Sequence, residues 1–157
     1  MIKQKYGVVY TPDTLSEFVA ELLKRAAGES LIKVILDPAS GECALLSAAR
    51  AAFGEDCAYI GIDVDSNAVN NTKEKFTIIH NDAIMPQNVK KKSSDYWKSK
   101  LPKVDAVIAN PPWSSEKIYD RAALISAGFS LVSGQYDSYV LFIEQAYNIL
   151  CEDGLMA

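Results

Sequence analysis

Short apolar runs alternate along this chain with segments of helical pattern, and this alternation limits the folds that the chain can adopt. Four runs rich in β-branched residues are typical of buried strands. The predicted strands are residues 32–36, 59–62, 76–79 and 104–109, and the predicted helices are residues 14–27, 44–53, 66–75 and 138–150. Strands that alternate with helices favour an α/β fold with a parallel sheet and right-handed crossovers.

The first predicted helix has apolar side chains at helical spacing. These residues are Leu15, Phe18, Val19, Leu22 and Leu23. The preceding Thr11-Pro12-Asp13 offers a cap and a proline in the first turn. Asp65 or Ser66 is expected to cap the third helix.

The last residues predict a turn followed by the start of a further strand. Glu152-Asp153-Gly154 has turn composition, and Leu155-Met156-Ala157 resembles the opening of a fifth strand. A sheet is rarely complete at such a point. We therefore expect a truncated piece of a longer protein, in which the sheet is cut after the fourth strand or at the start of the fifth.

Composition excludes several classes of protein. The 157 residues suffice for one domain with a sizeable core, and no apolar run approaches the roughly 20 residues that span a bilayer. Three scattered cysteines favour reduced thiols in the cytoplasm over a disulfide framework. A single histidine and the absence of metal-ligand spacing argue against a metal site, so we expect no metal and no contact with a membrane.

Net charge bears on nucleic acid as a partner. The formal charge is −4, whereas a domain that holds DNA alone is usually basic. One stretch, residues 89–103, is basic, and its lysines are Lys90, Lys91, Lys92, Lys98, Lys100 and Lys103. A solvated loop or helix face explains them more simply than a phosphate contact does, although both interpretations stay open.

The first predicted strand runs into Asp37-Pro38-Ala39-Ser40-Gly41, a loop of small residues before a helix. A strand, a small-residue loop and a helix N-terminus form a cradle for a ligand, and Gly41 allows close backbone approach. The acid at the strand end suits a cationic group better than a phosphate. Phosphate-binding signatures are missing here, and an ordinary tight turn is the alternative.

Acidic residues also follow the next two predicted strands. Asp63 stands about twenty residues after the loop, where an acid accepts hydrogen bonds from ribose hydroxyls in nucleotide sites. Asp82, in Asn81-Asp82-Ala83, is expected at the same edge, where it could receive an adenine amino group. For Asp63 the alternative is a helix cap, which fits Asp65 better, and for Asp82 the alternative is a plain turn. His80 is interpreted as structural.

The fourth predicted strand ends in Asn110-Pro111-Pro112-Trp113. Two prolines stiffen the chain and hold Asn110 extended, so its side-chain oxygen and a nearby backbone carbonyl point outward. Two acceptors on a rigid loop match the two N–H groups of an amino group. Trp113 offers a flat face on which a planar substrate can stack.

The order of these motifs resembles that of the N6-adenine DNA methyltransferases in which the cofactor motifs come first, as in type I modification subunits and type IIG restriction–modification enzymes. The segments are Tyr10-Thr11-Pro12, Asp37-Pro38-Ala39-Ser40-Gly41, Gly61-Ile62-Asp63-Val64-Asp65, Asn81-Asp82-Ala83 and Asn110-Pro111-Pro112-Trp113. Residues 134–144 are similar to the helix after the catalytic loop. The resemblance implies a Rossmann-like methyltransferase sheet, with residues 1–157 forming the N-terminal part of a catalytic domain that lacks its target-recognition domain.

The resemblance also implies a role for each motif. The cofactor is S-adenosylmethionine, and its expected contacts are Thr11, Pro12, Asp37, Pro38, Ala39, Gly41, Asp63, Asp82 and Ala83. Asn110 and the Pro111 carbonyl would accept hydrogen bonds from N6 of an adenine flipped out of double-stranded DNA, beside Pro112, while Trp113 stacks on that base. A specificity or restriction subunit is the implied protein partner. The cysteines receive no catalytic role.

The chain departs from the family pattern in three places. Cys43 stands where a second glycine is usual and could crowd the cofactor loop. Trp113 replaces the commoner Tyr or Phe. The missing recognition domain leads us to expect that these 157 residues alone neither bind DNA specifically nor methylate it at a useful rate.

Two alternatives stay open. Asn-Pro-Pro-aromatic loops also serve methyltransferases that act on protein glutamine or on RNA guanine. The glutamine enzymes, however, place a helical substrate domain before the cofactor loop, whereas here only about ten residues precede the helix that starts at Thr11-Pro12. The chain could also be a non-catalytic cofactor-binding or assembly module, against which the intact Asn110-Pro111-Pro112-Trp113 argues.

Overall fold

The computed structural model describes residues 11–72, 76–87, 89, 91–113, 119–134 and 136–157. The strands are β1 (Val34–Asp37), β2 (Ala58–Asp63), β3 (Thr77–His80), β4 (Val104–Val107) and β5 (Leu150–Met156). The helices are α1 (Asp13–Ala27), α2 (Ala44–Phe53), α3 (Ser66–Thr72), α4 (Ser93–Lys100), α5 (Arg121–Ser126) and α6 (Ser138–Ile149). The strands form one parallel sheet in the order β3-β2-β1-β4-β5, which confirms the predicted α/β class.

Helices cover both faces of the sheet. Successive strand residues point to opposite sides, and here the residues on both sides are apolar and need to be buried. Ile35 joins the core beneath α1 and α2, whereas its neighbour Leu36 joins the core beneath α4, α5 and α6. Trp97 of α4 and Leu141 of α6 are fully buried in this second core. Because both faces of the strands are buried, their sequences are continuous runs of apolar residues rather than alternating patterns.

The first helix forms as predicted, but only part of its apolar pattern faces the core. Its buried residues are Ser16, Ala20, Leu23 and Ala27, which pack closely on α2. Leu23 is buried and Val19 packs against the core, whereas Leu15, Phe18 and Leu22 are about half exposed. The apolar spacing therefore identified the core face only in part. Small residues suit the inner face because α1 lies against the small-residue helix α2. The predicted Thr11 cap is also wrong, since the N-cap residue is Pro12 and no side chain caps α1.

The strand ends differ slightly from the predicted ones. Strand β1 starts at Val34 rather than at residue 32, and the backbone N–H groups of Lys33 and Val34 both donate to Asp105 Oδ2 at 3.0 Å. The predicted turn at the chain's end lies within β5 as an irregularity. Pairing jumps from Leu150 opposite Val104 to Leu155 opposite Ala106.

Two helices were not predicted. Helix α4 lies in the basic stretch, and its described lysines are exposed, consistent with a solvated helix face. Helix α5 is short, and the Asp120 carboxylate caps it by accepting from Ala123 N–H at 2.9 Å. Asp65 caps α3 through Asn67 N–H, as expected. Among the predicted features, Tyr10, residues 73–75, Lys90 and Gln135 lie outside the described residues.

None of the helices within the described ranges is long and apolar enough to cross a bilayer.

Position 61 requires glycine because the loop after β1 lies very close to it. A Cβ atom at this position would lie 2.6 Å from Ser40 Oγ and 2.7 Å from Ile78 Cδ1. The loop is held there because Ser40 N–H donates to the Ile62 carbonyl at 3.1 Å. A side chain at position 61 would therefore push the loop off the sheet.

We expect Gly61→Ala to lower the free energy of unfolding by about 1–3 kcal/mol, the usual cost of overpacking. Urea unfolding measures this. Adding Ser40→Gly removes the atoms nearest the new methyl group and should recover part of the loss. A double variant no more stable than Gly61→Ala would contradict this account of the contact.

Candidate cofactor and substrate site

A cavity of about 560 Å³ opens at the carboxyl end of the sheet, within the size range of small-molecule sites. Its walls come from the loops after β1, β2, β3 and β4, together with the start of α1, one side of α2 and the start of α6. In an open α/β sheet, ligands bind at this edge, where strand order reverses. The order β3-β2-β1-β4-β5 reverses between β1 and β4.

Most of the predicted site residues meet around this cavity. Those that line it are Thr11, Asp37, Pro38, Ala39, Gly41, Asp63, Asp82, Asn110 and Pro112. Pro12, Ala83, Pro111 and Trp113 are not among the lining residues. Ala83 is buried, with its carbonyl oxygen turned into the core, whereas Trp113 is 63% exposed beside the cavity.

The loop after β1 is tied to the end of β2. Asp37 Oδ1 accepts from Ala39 N–H at 3.0 Å, and Asp63 Oδ2 accepts from Gly41 N–H at 2.6 Å. Asp63 Oδ1 accepts from Asp65 N–H at 2.8 Å. Each carboxylate oxygen has more than one acceptor site, so these contacts hold Asp63 in place and leave it able to accept from a ligand.

Cys43 has a left-handed backbone conformation of the kind that glycine adopts most easily. Its φ of 62° lies in the left-handed region, where L side chains are disfavoured and glycine is at ease. Its side chain is buried in the core shared with α2 and does not line the cavity. The expected crowding of the cofactor loop by this side chain is therefore not seen.

The cavity is strongly acidic. Among the described residues that line it there is no Lys, Arg or His, and the acidic ones are Asp13, Glu17, Asp37, Glu42, Asp63, Asp65 and Asp82. Burial of Asp37, with the nearby Asp63 carboxylate adding to the effect, raises its pKa to about 7 against the opposing hydrogen bond from Ala39. Such a cavity favours a cationic ligand and repels a polyphosphate.

The turn after β3 holds Asp82 at the cavity wall. Asp82 Oδ1 accepts from the N–H groups of Ile84 at 2.8 Å and Met85 at 3.0 Å. Tyr119, which comes after the Asn110-Pro111-Pro112-Trp113 segment, donates its hydroxyl hydrogen to Asp82 Oδ2 at 2.9 Å. Sequence reasoning missed Tyr119 because no local pattern marks a residue that reaches this turn from so far along the chain.

A network of buried hydrogen bonds holds the same turn from the side of the core. The Ala83 carbonyl accepts from Trp97 Nε1 at 2.9 Å and from Gln145 Nε2 at 2.8 Å. Gln145 also donates to Ser93 Oγ at 2.7 Å. Helices α4 and α6 therefore set the position of the turn that carries Asp82.

The loop after β4 is held at both ends of its motif. Asn110 Nδ2 donates to Thr11 Oγ1 at 3.1 Å, and Trp113 Nε1 lies 3.4 Å from Asn110 Oδ1. The Pro112 carbonyl accepts from the Ser138 hydroxyl at the start of α6. Trp113 also packs on Tyr139, with ring centroids 5.0 Å apart. Sequence reasoning missed Ser138 and Tyr139 as partners of this loop.

The arrangement suits S-adenosylmethionine, whose sulfonium and ammonium groups are cationic and whose nucleoside can meet acids at successive strand ends. The chain has the fold of S-adenosylmethionine-dependent methyltransferases. It belongs to the N-6 DNA Methylase family, whose model matches residues 2–155. No curated protein shows significant similarity to the sequence.

Solved structures share this fold. A protein from Listeria monocytogenes, provisionally named a class I S-adenosylmethionine-dependent methyltransferase, is 25% identical with a TM-score of 0.66, over 97% of this chain and 48% of its own. The type I restriction-modification methyltransferase subunit from Streptococcus thermophilus is 18% identical with a TM-score of 0.70, over 94% of this chain and 33% of its own. TrmN from Thermus thermophilus is 19% identical with a TM-score of 0.56, over 89% of this chain and 37% of its own.

The chain thus spans about half of the Listeria protein and a third of the Streptococcus subunit. Within the described ranges, no group of three or more His, Cys, Asp or Glu residues is placed to hold a metal ion.

Asp37 links cofactor affinity to stability. Its folded-state pKa of about 7 lies above its ordinary value of 3.8, so the ionised side chain destabilises the free protein above pH 7, and this cost disappears as pH falls towards 4. The cost is on the order of 4 kcal/mol, since a tenfold change in proton binding is worth about 1.4 kcal/mol.

We therefore expect Asp37→Asn to stabilise the free protein at pH 8, because the new side chain carries no charge and can still accept from Ala39 N–H. The same change should weaken the binding of a cationic ligand such as S-adenosylmethionine, because the cavity loses one of its carboxylates. Urea unfolding at pH 8 and pH 5.5, with calorimetry of cofactor binding, measures both effects. The exposed Asp56→Asn serves as control, and an Asp37→Asn protein less stable than wild type at pH 8 would contradict this account.

Gln145→Leu should loosen the Asp82 turn from below. It removes two hydrogen bonds within the core and leaves Ser93 Oγ and the Ala83 carbonyl with fewer partners, at a cost of about 1–3 kcal/mol in stability. Affinity for S-adenosylmethionine should fall as well, since Asp82 lines the cavity and moves with the turn. Tyr147→Leu, on the exposed side of the same helix, is the matched control, and equal effects of the two variants in unfolding and calorimetry would refute the role of the network.

Proposed function

We propose that this chain is the cofactor-binding and catalytic part of an enzyme that transfers a methyl group from S-adenosylmethionine to N6 of adenine in DNA. We place the reaction in the cytoplasm, within a restriction–modification system. The family supports the reaction class. The observation that carries the proposal is the position of Asn110, at the end of β4 on the wall of the acidic cavity.

The cofactor roles follow from chemistry at each strand end. Asp37 would pair with the ammonium group, with Thr11, Pro12, Pro38, Ala39 and Gly41 around the amino-acid end. Asp63 would accept from the ribose hydroxyls, and Asp82, with Ala83 behind it, from the cofactor's adenine amino group. Bound S-adenosylmethionine supplies an already activated methyl group, so the chain's own residues contribute mainly alignment.

The target amino group would meet two acceptors. Asn110 Oδ1 and the Pro111 carbonyl can accept one N–H each, which draws the nitrogen lone pair out of conjugation and towards the methyl carbon. Pro111 and Pro112 lack backbone N–H groups and keep this loop stiff. Trp113, largely exposed and backed by Tyr139, presents its ring to a base flipped from the duplex. The nitrogen gives up a proton to solvent after transfer.

Double-stranded DNA is the proposed substrate, and sequence choice is assigned to a recognition domain or a specificity subunit outside these residues. The net charge of −4 supports this division, because the chain itself offers little attraction for phosphates. A restriction subunit is the further partner proposed. The DNA-methylase family favours DNA over protein glutamine or RNA guanine as target.

Asn110→Ala tests the proposal in the complete gene product. Cofactor affinity measured by calorimetry should change little, while transfer of labelled methyl groups to DNA should fall about 100-fold or more, as when a transition-state hydrogen-bond partner is removed. Asn67→Ala, an exposed Asn on α3, is the control. Undiminished transfer by Asn110→Ala, or no transfer by the wild-type enzyme to DNA carrying its site, would overturn the proposed function.

A further inference from the structure

A carboxamide that accepts from an amino group has an orientation problem. Its oxygen and its nitrogen are similar in shape, and a half-turn about the last side-chain bond exchanges an acceptor for a donor of two N–H groups. Presented the wrong way, Asn110 would oppose its nitrogen to the target nitrogen. Some neighbouring group must therefore fix the amide in one orientation.

Two side chains contact the Asn110 amide from opposite sides. Thr11 Oγ1 lies 3.1 Å from Nδ2, and Trp113 Nε1 lies 3.4 Å from Oδ1. The Thr11 hydroxyl can either accept or donate, so it tolerates both orientations. The indole N–H of Trp113 can only donate. The reversed amide would place two donors against each other at Trp113, so the nitrogen faces Thr11.

Thr11 is available for this contact because its own helix does not use it. A threonine just before a helix commonly caps the first turn, yet the N-cap residue of α1 is Pro12 and no side chain caps the helix. The Pro12 carbonyl accepts from Leu15 and Ser16 N–H, which fixes the backbone that carries Thr11. The hydroxyl thus lies on a rigid support and is directed at Asn110.

We propose that Thr11 is a positioning residue for Asn110: it accepts from the amide nitrogen and so holds the amide oxygen towards the target amino group. Trp113 fixes the direction of this hydrogen bond. Because the Thr11 hydroxyl oxygen is the acceptor, the hydroxyl hydrogen can still be donated to a group in the cavity that Thr11 lines. Thr11 therefore connects the loop after β4 to the cofactor cavity. This role rests on the proposed function and adds to it a defined partner for Asn110.

Thr11→Val and Thr11→Ser test the proposal in the complete gene product. Valine matches threonine in shape but cannot accept, whereas serine keeps the hydroxyl. Turnover at saturating S-adenosylmethionine should fall about 3- to 10-fold in Thr11→Val, the worth of a typical hydrogen bond, and should be recovered in Thr11→Ser. In an Asn110→Ala background, Thr11→Val should cause no further loss of turnover.

A loss of turnover that adds fully to that of Asn110→Ala would overturn the proposal, and so would an effect on cofactor affinity alone. Either result leaves adenine methylation by the wild-type enzyme intact, so the failure of this role is distinguishable from the failure of the proposed function.

A readout independent of activity is the nuclear magnetic resonance signal of the Asn110 side-chain NH₂ group. Its hydrogen-bonded proton should shift upfield in Thr11→Val and stay near its wild-type position in Thr11→Ser. An unchanged signal in Thr11→Val would contradict the contact itself, whatever reaction the enzyme performs.

Discussion

Parallel pairing of β1 with both β2 and β4 is the constraint on which the rest of the site depends. Asp37 pairs with Gly61, two residues before Asp63, and β4 runs beside β1 towards Asn110. Because all of these strands run the same way, polar residues distant in the chain reach one edge of the sheet. The loop that carries Gly41 can then hydrogen-bond to Asp63, and Thr11, just before α1, can reach Asn110.

The cost of this arrangement is concentrated in the acidic cavity. Asp37 is buried near the Asp63 carboxylate, and its pKa is raised. Among the described residues that line the cavity there is no cation with which it could pair. In the proposed function, activity and stability therefore oppose each other at Asp37, since the charge that destabilises the free protein also makes the cavity attractive to a cation. The left-handed backbone conformation of Cys43 adds strain at the end of the loop after β1.

Features encoded locally could be predicted from the sequence. The acids Asp37, Asp63 and Asp82 line one cavity because each stands at or just after the end of a β-branched run. The rigidity of Asn110-Pro111-Pro112 follows from its two prolines. Contacts made across the fold could not be predicted. The buried face of α1 depends on its fit to α2, and Thr11, which looked like a helix cap, bonds to a residue 99 positions away. Gln145 and Tyr119 act on the Asp82 turn only through tertiary packing.

The central claim is that the acceptors at the end of β4 hold an adenine amino group against the cofactor cavity. Nucleoside mass spectrometry of DNA from cells that express the complete gene product tests it most directly, because it identifies the methylated atom. The account predicts N6-methyldeoxyadenosine, absent when Asn110 is replaced. Methyl groups on cytosine only, or DNA without added methyl groups, would contradict it.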